Sequence, residues 1–227
     1  MRVLALIFLS GLLSYSALSG QTTLTIKAQF GQAWQGTTNF FFLDDNDYPR
    51  LSHYGLSAEF FRAVTPKFSL GVAPGYMRRG SELEVGFING LFVGPIPSFD
   101  SRLHLNYFQL PLLAKYETAL FQRFSISGQI GAGFAYLLGG YREVKFFGSN
   151  VDRERQNLDF DGLDDDLNRF DFGLYSGIAV GYALKQGKLL LSFDHYHGSF
   201  DVDQKVVSEN RNWGIGLGYQ LPLNQAK

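Results

Sequence analysis

Large apolar residues alternate one-for-one with small or polar ones along most of this chain, and that period-two pattern fits a strand with two unlike faces. Leu24, Ile26, Ala28 and Phe30 alternate with Thr25, Lys27, Gln29 and Gly31, and the run ends near Trp34. Tyr54, Leu56, Ala58 and Phe60 alternate in the same way with Gly55, Ser57 and Glu59. The pattern returns at 68–76, 110–116, 124–138, 170–182, 189–193 and 213–221, which makes eight segments. In each, one parity is large and the other is mostly Gly, Ala, Ser and Gln. A soluble sandwich would put long charged side chains on its outward face. The small second face instead suits the inside of a narrow cylinder. The pattern predicts an all-β fold, an eight-stranded antiparallel up-and-down transmembrane β-barrel.

The connections point the same way. Turns at 64–67, 119–122 and 185–188 are tight, whereas the stretches near 35–52, 80–103, 142–168 and 201–210 are longer and polar. Short turns alternating with long loops put all the turns on the periplasmic side of a membrane barrel and all the loops outside. Trp34, Tyr54, Tyr76, Tyr116, Tyr141, Phe170, Tyr182 and Trp213 gather near segment ends, as interfacial girdles do.

Bulk composition would hide such a protein. Hydrophobic residues make up 45% of the 227, and no run after the N-terminus has the length and apolarity of a membrane helix. The telling numbers are 22 Phe, 12 Tyr and 26 Gly, which call for many half-exposed apolar faces and many close approaches. A net charge of -1 argues against nucleic acid as a partner. With no cysteine there is no disulfide framework, thiolate metal site or thiol nucleophile. At the N-terminus, Arg2, the apolar run Val3 to Leu13 and Ala17-Leu18-Ser19, with small residues at its first and third positions, read as a secretory signal. The division expected is therefore 1–20 as cleaved signal peptide and 21–227 as barrel domain, exported to the outer membrane.

Tyr107-Phe108-Gln109-Leu110-Pro111-Leu112-Leu113-Ala114-Lys115-Tyr116 resembles the strand motif of the PorT-like outer-membrane β-barrel domain of Bacteroidota-type bacteria. Phe170-Asp171-Phe172-Gly173-Leu174 and Asn212-Trp213-Gly214-Ile215-Gly216-Leu217-Gly218-Tyr219 resemble its later and closing strands. The resemblance implies an eight-stranded outer-membrane barrel. It implies little about activity, although one relative assists export of proteins to the cell surface.

Five places bear chemistry. By parity Lys27, Glu59, Lys115, Asp171 and Asp194 face inward, and a buried charge needs a partner. Lys27 and Lys115 are therefore expected to pair with Glu59, Asp171 or Asp194, filling the lumen rather than opening a channel. His197-Gly198-Ser199 resembles the His-x-Ser element of outer-membrane lipid A deacylases, which also need an acid to orient the histidine, and Glu209 on the neighbouring strand end is the candidate. Asn157, Asp159, Asp161 and Asp165 space oxygens as a calcium loop does, but Asn168 stands where a bidentate Glu is needed. Phe40, Phe41 and Phe42, before an acidic run, form a candidate partner-binding loop, and Gly86 to Pro95 raises the same question. No nucleotide or zinc signature is present, so no cofactor is expected. The expected role is non-enzymatic, a structural or interaction protein meeting outer-membrane lipid, lipopolysaccharide or a secretion partner through its loops. The alternatives are a lipid A hydrolase using His197 and Ser199, or a small channel.

Overall fold

The structure, a computed structural model, describes residues 21–37, 50–85, 99–146, 154–158, 168–201 and 208–223. The strands are β1 (Thr22–Thr37), β2 (Leu51–Ala63), β3 (Phe68–Val72), β4 (Gly75–Val85), β5 (Phe99–Gln109) and β6 (Leu112–Phe121). They continue as β7 (Phe124–Phe146), β8 (Glu154–Asn157), β9 (Phe170–Leu184), β10 (Gly187–Asp201) and β11 (Ser208–Pro222). The candidate signal segment, Phe40 to Phe42, the stretch 86–95, and Asp159, Asp161 and Asp165 all lie outside the described residues.

β3 and β4 form one stave across Ala73-Pro74, and β5 and β6 another across Leu110-Pro111. With these counted once and the short β8 attached to β7, eight antiparallel staves form a ring in which β1 pairs with both β2 and β11. Proline lacks an N–H and cannot continue a ladder. The two interruptions lie side by side, and one bond between them and one to β7 hold them in the wall. Ala73 N–H donates to the Pro111 carbonyl at 3.0 Å, and Leu110 N–H donates to the Phe134 carbonyl at 2.7 Å.

The outward parity is apolar around the ring. Phe30 is 63% exposed, Ile178 61% and Leu217 59%, a belt that water would not tolerate and hydrocarbon does. Strand pairing continues above this belt. β4 runs on to Val85, β5 starts at Phe99 and β7 reaches Phe146, inside stretches whose sequence reads as loop. There the outward positions become Arg78, Glu82, Arg102 and Glu143. Alternation of hydrophobicity ends while the ladder does not, because both faces now meet polar surroundings. β7 also carries a bulge at Leu138, where pairing steps from Tyr107↔Leu137 to Asn106↔Gly139. The extra residue exchanges the two faces, so Tyr141 turns outward beside His104.

The lumen is bulkier than expected from small residues alone. Phe61, Leu113, Tyr175 and Tyr196 form one buried cluster with Ala73, and Leu105, Tyr107 and Leu137 another with Ala135. Glycine on facing strands makes the room. A Cβ on Gly133 would lie 2.6 Å from Tyr196 Cε2, and one on Gly177 would lie 2.5 Å from Asp194 Oδ1. Inward glycines and inward tyrosines are thus two halves of one packing solution.

Gly133→Ala is expected to destabilise the barrel by about 1–3 kcal/mol, since its methyl enters occupied space. Gly128 faces lipid with nothing within 4 Å of its Cβ position, so Gly128→Ala should stay within about 0.5 kcal/mol of wild type. Urea titration of the protein refolded in micelles distinguishes the two.

Candidate functional site

The alternation that turns Leu and Phe to lipid turns Lys27, Glu59, Lys115, Asp171 and Asp194 into the lumen, where each is buried. Lys27, on β1, carries the central group. Its Nζ lies 2.5 Å from Glu59 on β2 and 3.1 Å from Asp194 on β10. Asp194 also accepts hydrogen bonds from Tyr175 Oη at 2.7 Å, Ser192 Oγ at 2.8 Å and Gln129 Nε2 at 3.1 Å. Four donors around one carboxylate leave little of its desolvation cost uncompensated.

Asp171 belongs to a second group nearer the loops. Its partner is Arg79, at 3.1 Å, rather than either lysine. Asn210 Nδ2 donates to the same carboxylate at 2.9 Å and lies 3.1 Å from Tyr107 Oη. The Arg79 guanidinium also reaches Gln109 at 3.2 Å and stands 4.0 Å from the centre of the Tyr196 ring. Lys115 departs from expectation too. It lies 3.8 Å from Glu117, which is also the partner of Lys188, so the pairing is along β6 and with β10 near the turns.

Sequence reading missed Arg79, Glu117, Tyr175 and Asn210. Arg79 shares parity with Met77 and Ala73 across Pro74, a signal hidden because the apolar alternation stops at Tyr76. Tyr175 and Asn210 follow the inward parity of β9 and β11, but nothing in their immediate neighbours marks them as partners of particular charges.

Two outward-facing groups stand apart from the lumen. On β10 and β11, His197 Nε2 lies 3.4 Å from Glu209, which also takes Arg211 at 3.1 Å. Ser199 is exposed two residues further along β10, while Gly198 between them is buried. On β2, β4, β5 and β7, Arg78 reaches Tyr54 Oη at 3.4 Å, His104 Nδ1 at 2.8 Å and the Tyr141 hydroxyl. Arg155 on β8 covers the Tyr141 ring at 3.8 Å. Asn157, of the candidate calcium loop, is exposed at the end of β8. Among the described residues no cluster of three or more His, Asp or Glu has metal-binding geometry.

Removing one member of the central group tests its energetics. Lys27→Met leaves Glu59 and Asp194 buried together and should cost about 3–5 kcal/mol in urea titration of the refolded protein. Adding Glu59→Gln and Asp194→Asn to Lys27→Met should recover part of that loss, because no unpaired charge then remains.

The chain matches the model of the outer membrane protein beta-barrel domain over residues 24–204. Among curated proteins, no sequence matches it. Among solved structures it is similar to Ail, the attachment invasion locus protein of Yersinia pestis, in complex with the heparin analogue sucrose octasulfate. That likeness has 13% identity and a TM-score of 0.40, over 90% of this chain and 100% of that one. OprG from Pseudomonas aeruginosa gives 12% identity and a TM-score of 0.45, over 89% and 96% of the respective chains. The outer membrane protease OmpT from Escherichia coli gives 9% and 0.44, over 92% and 99%. Likenesses this distant carry no chemistry across. With an apolar belt around a closed ring and a family match over most of its length, the chain is an outer-membrane protein and belongs to the outer membrane protein β-barrel domain family.

Proposed function

We propose that this barrel is a non-enzymatic structural or interaction protein of the PorT-like kind. It contacts envelope lipid or a protein partner, such as a component of surface export, through its external end. The observation that carries the reading is the filled lumen. Lys27, Glu59, Asp194, Arg79 and Asp171 are paired with one another and packed among Tyr107, Tyr175 and Tyr196. Such a core suits a wall better than a channel, which directs attention to the exposed ends of the barrel. Arg78 supports a lipid contact. It faces outward beside Tyr54 and Tyr141, and its partners among the described residues are Tyr54, His104 and Tyr141, none of them an acid. A guanidinium so placed suits the phosphate of an outer-leaflet glycolipid.

A second reading, a lipid A hydrolase, is favoured by one observation. His197 and Ser199 share the outward face of β10, and Glu209 lies 3.4 Å from the His197 ring. In that reading Ser199 is the nucleophile, His197 the base and Glu209 its orienting acid.

A photo-crosslinking residue at Tyr141 should capture lipopolysaccharide or an envelope protein in intact cells, and Arg78→Ala should reduce the lipopolysaccharide recovered several-fold. Adducts no different from those made at Leu217, in the apolar belt, would refute the interaction reading. Planar bilayers holding the refolded protein should show no conductance steps. Mass spectra of lipid A should be the same with wild type and Ser199→Ala, and a change in acylation confined to the wild type would establish the hydrolase instead.

A further inference from the structure

Where the short turns lie, the wall encloses a bowl of about 700 Å³ that opens away from the filled lumen. Lys115, Lys188 and Glu117 form its floor. Lys67, Arg123 and Lys185 stand on its rim, on three separate turns. Five cations therefore line the bowl against a single acid, Glu117, among the described residues. Glu117 is already engaged by both floor lysines and cannot also neutralise the rim. Lys115 is buried against the Phe61 ring at 4.3 Å, so the floor holds its charge in a fixed place.

The placement of these cations on three turns favours an anion that carries several charges. Neighbouring hairpins in the ring are two strands apart, on the order of 10 Å. Cations on three such turns can each meet a separate anionic group, as an extended chain bearing several carboxylates offers. A lipid anchored in the bilayer by its acyl chains does not reach a floor enclosed by the turns. The volume suits a few peptide residues and exceeds what a small anion needs.

We propose that this periplasmic mouth is a docking site for an acidic peptide segment of a periplasmic protein. It would tether the barrel from below, on the opposite side of the membrane from the loops and independently of what they bind. The rim cations attract the segment over a Debye length, and the floor lysines fix its end.

Fluorescence anisotropy of labelled hexaglutamate with the full chain refolded in micelles tests this. Binding should be saturable, should weaken with added salt and should be absent for hexalysine. The variant K67E/R123E/K185E should bind about tenfold more weakly while retaining heat-modifiable migration. If that variant does not fold, K185E alone, on an exposed turn, should still weaken binding about two- to threefold. Folded variants that bind as tightly as wild type would overturn the proposal. Displacement of the peptide by equimolar pyrophosphate would also overturn it, as the mark of a small-anion site. Displacement by phosphatidylglycerol at equal phosphate concentration would overturn it in favour of a lipid surface.

Discussion

In hydrocarbon a backbone N–H or C=O without a partner costs several kcal/mol, and a sheet satisfies all of its own only by having no edge. Here that condition rests on the pairing of the first strand with the last, continuous over fifteen residue pairs from Thr23↔Pro222 to Thr37↔Ser208. The rest of the molecule accommodates that closure. The two proline interruptions are tolerated because they sit next to each other, joined by the Ala73–Pro111 hydrogen bond, while β2 and β7 bond to Pro74 and Leu110 from either side. The outward row of Leu, Ile and Phe follows from closure in lipid, since every strand then shows one face to the same solvent.

Closure also confines the interior, and the interior answers with charge balance as well as packing. Lys27, Lys115 and Lys188 face Glu59, Glu117 and Asp194, three cations against three carboxylates, while Arg79 and Asp171 form a further matched pair. Lys27, Glu59, Asp194, Arg79 and Asp171 are shut away from bulk water and depend on partners on other strands, whereas Glu117 and Lys188 border the open end near the turns. Tyr175 and Asn210 add hydrogen bonds that connect β9 and β11 to the ions. The network therefore links the wall across its diameter, and the glycines opposite Tyr196 and Asp194 let those large groups approach.

Much of this was legible in the sequence because lipid imposes a simple rule on alternate residues. Ile26, Leu56, Ile178 and Leu217 announce their face by type alone, and Lys27, Glu59 and Asp194 announce theirs by sharing the other parity. Pairing was less legible. Asp171 goes to Arg79 and Lys115 to Glu117, choices set by how far each strand is staggered against the next, which one strand's pattern does not encode. The upper parts of β4, β5 and β7 were read as loop for a related reason. Once both faces meet polar surroundings, composition stops reporting which residues pair. The bulge at Leu138 was hidden as well, since one additional residue leaves no mark on hydrophobicity.

β7 is 23 residues long, which at the usual rise and tilt corresponds to a height of roughly 55–60 Å. The greasy zone of such barrels is only about 25 Å tall. More than half of that stave therefore stands clear of the bilayer, and β5 and β8 brace it by hydrogen bonding to its upper part. The result is a stiff parapet above the membrane surface. Paired backbone, and not side-chain contacts alone, thus fixes the outer ends of β5, β7 and β8 well clear of the hydrocarbon.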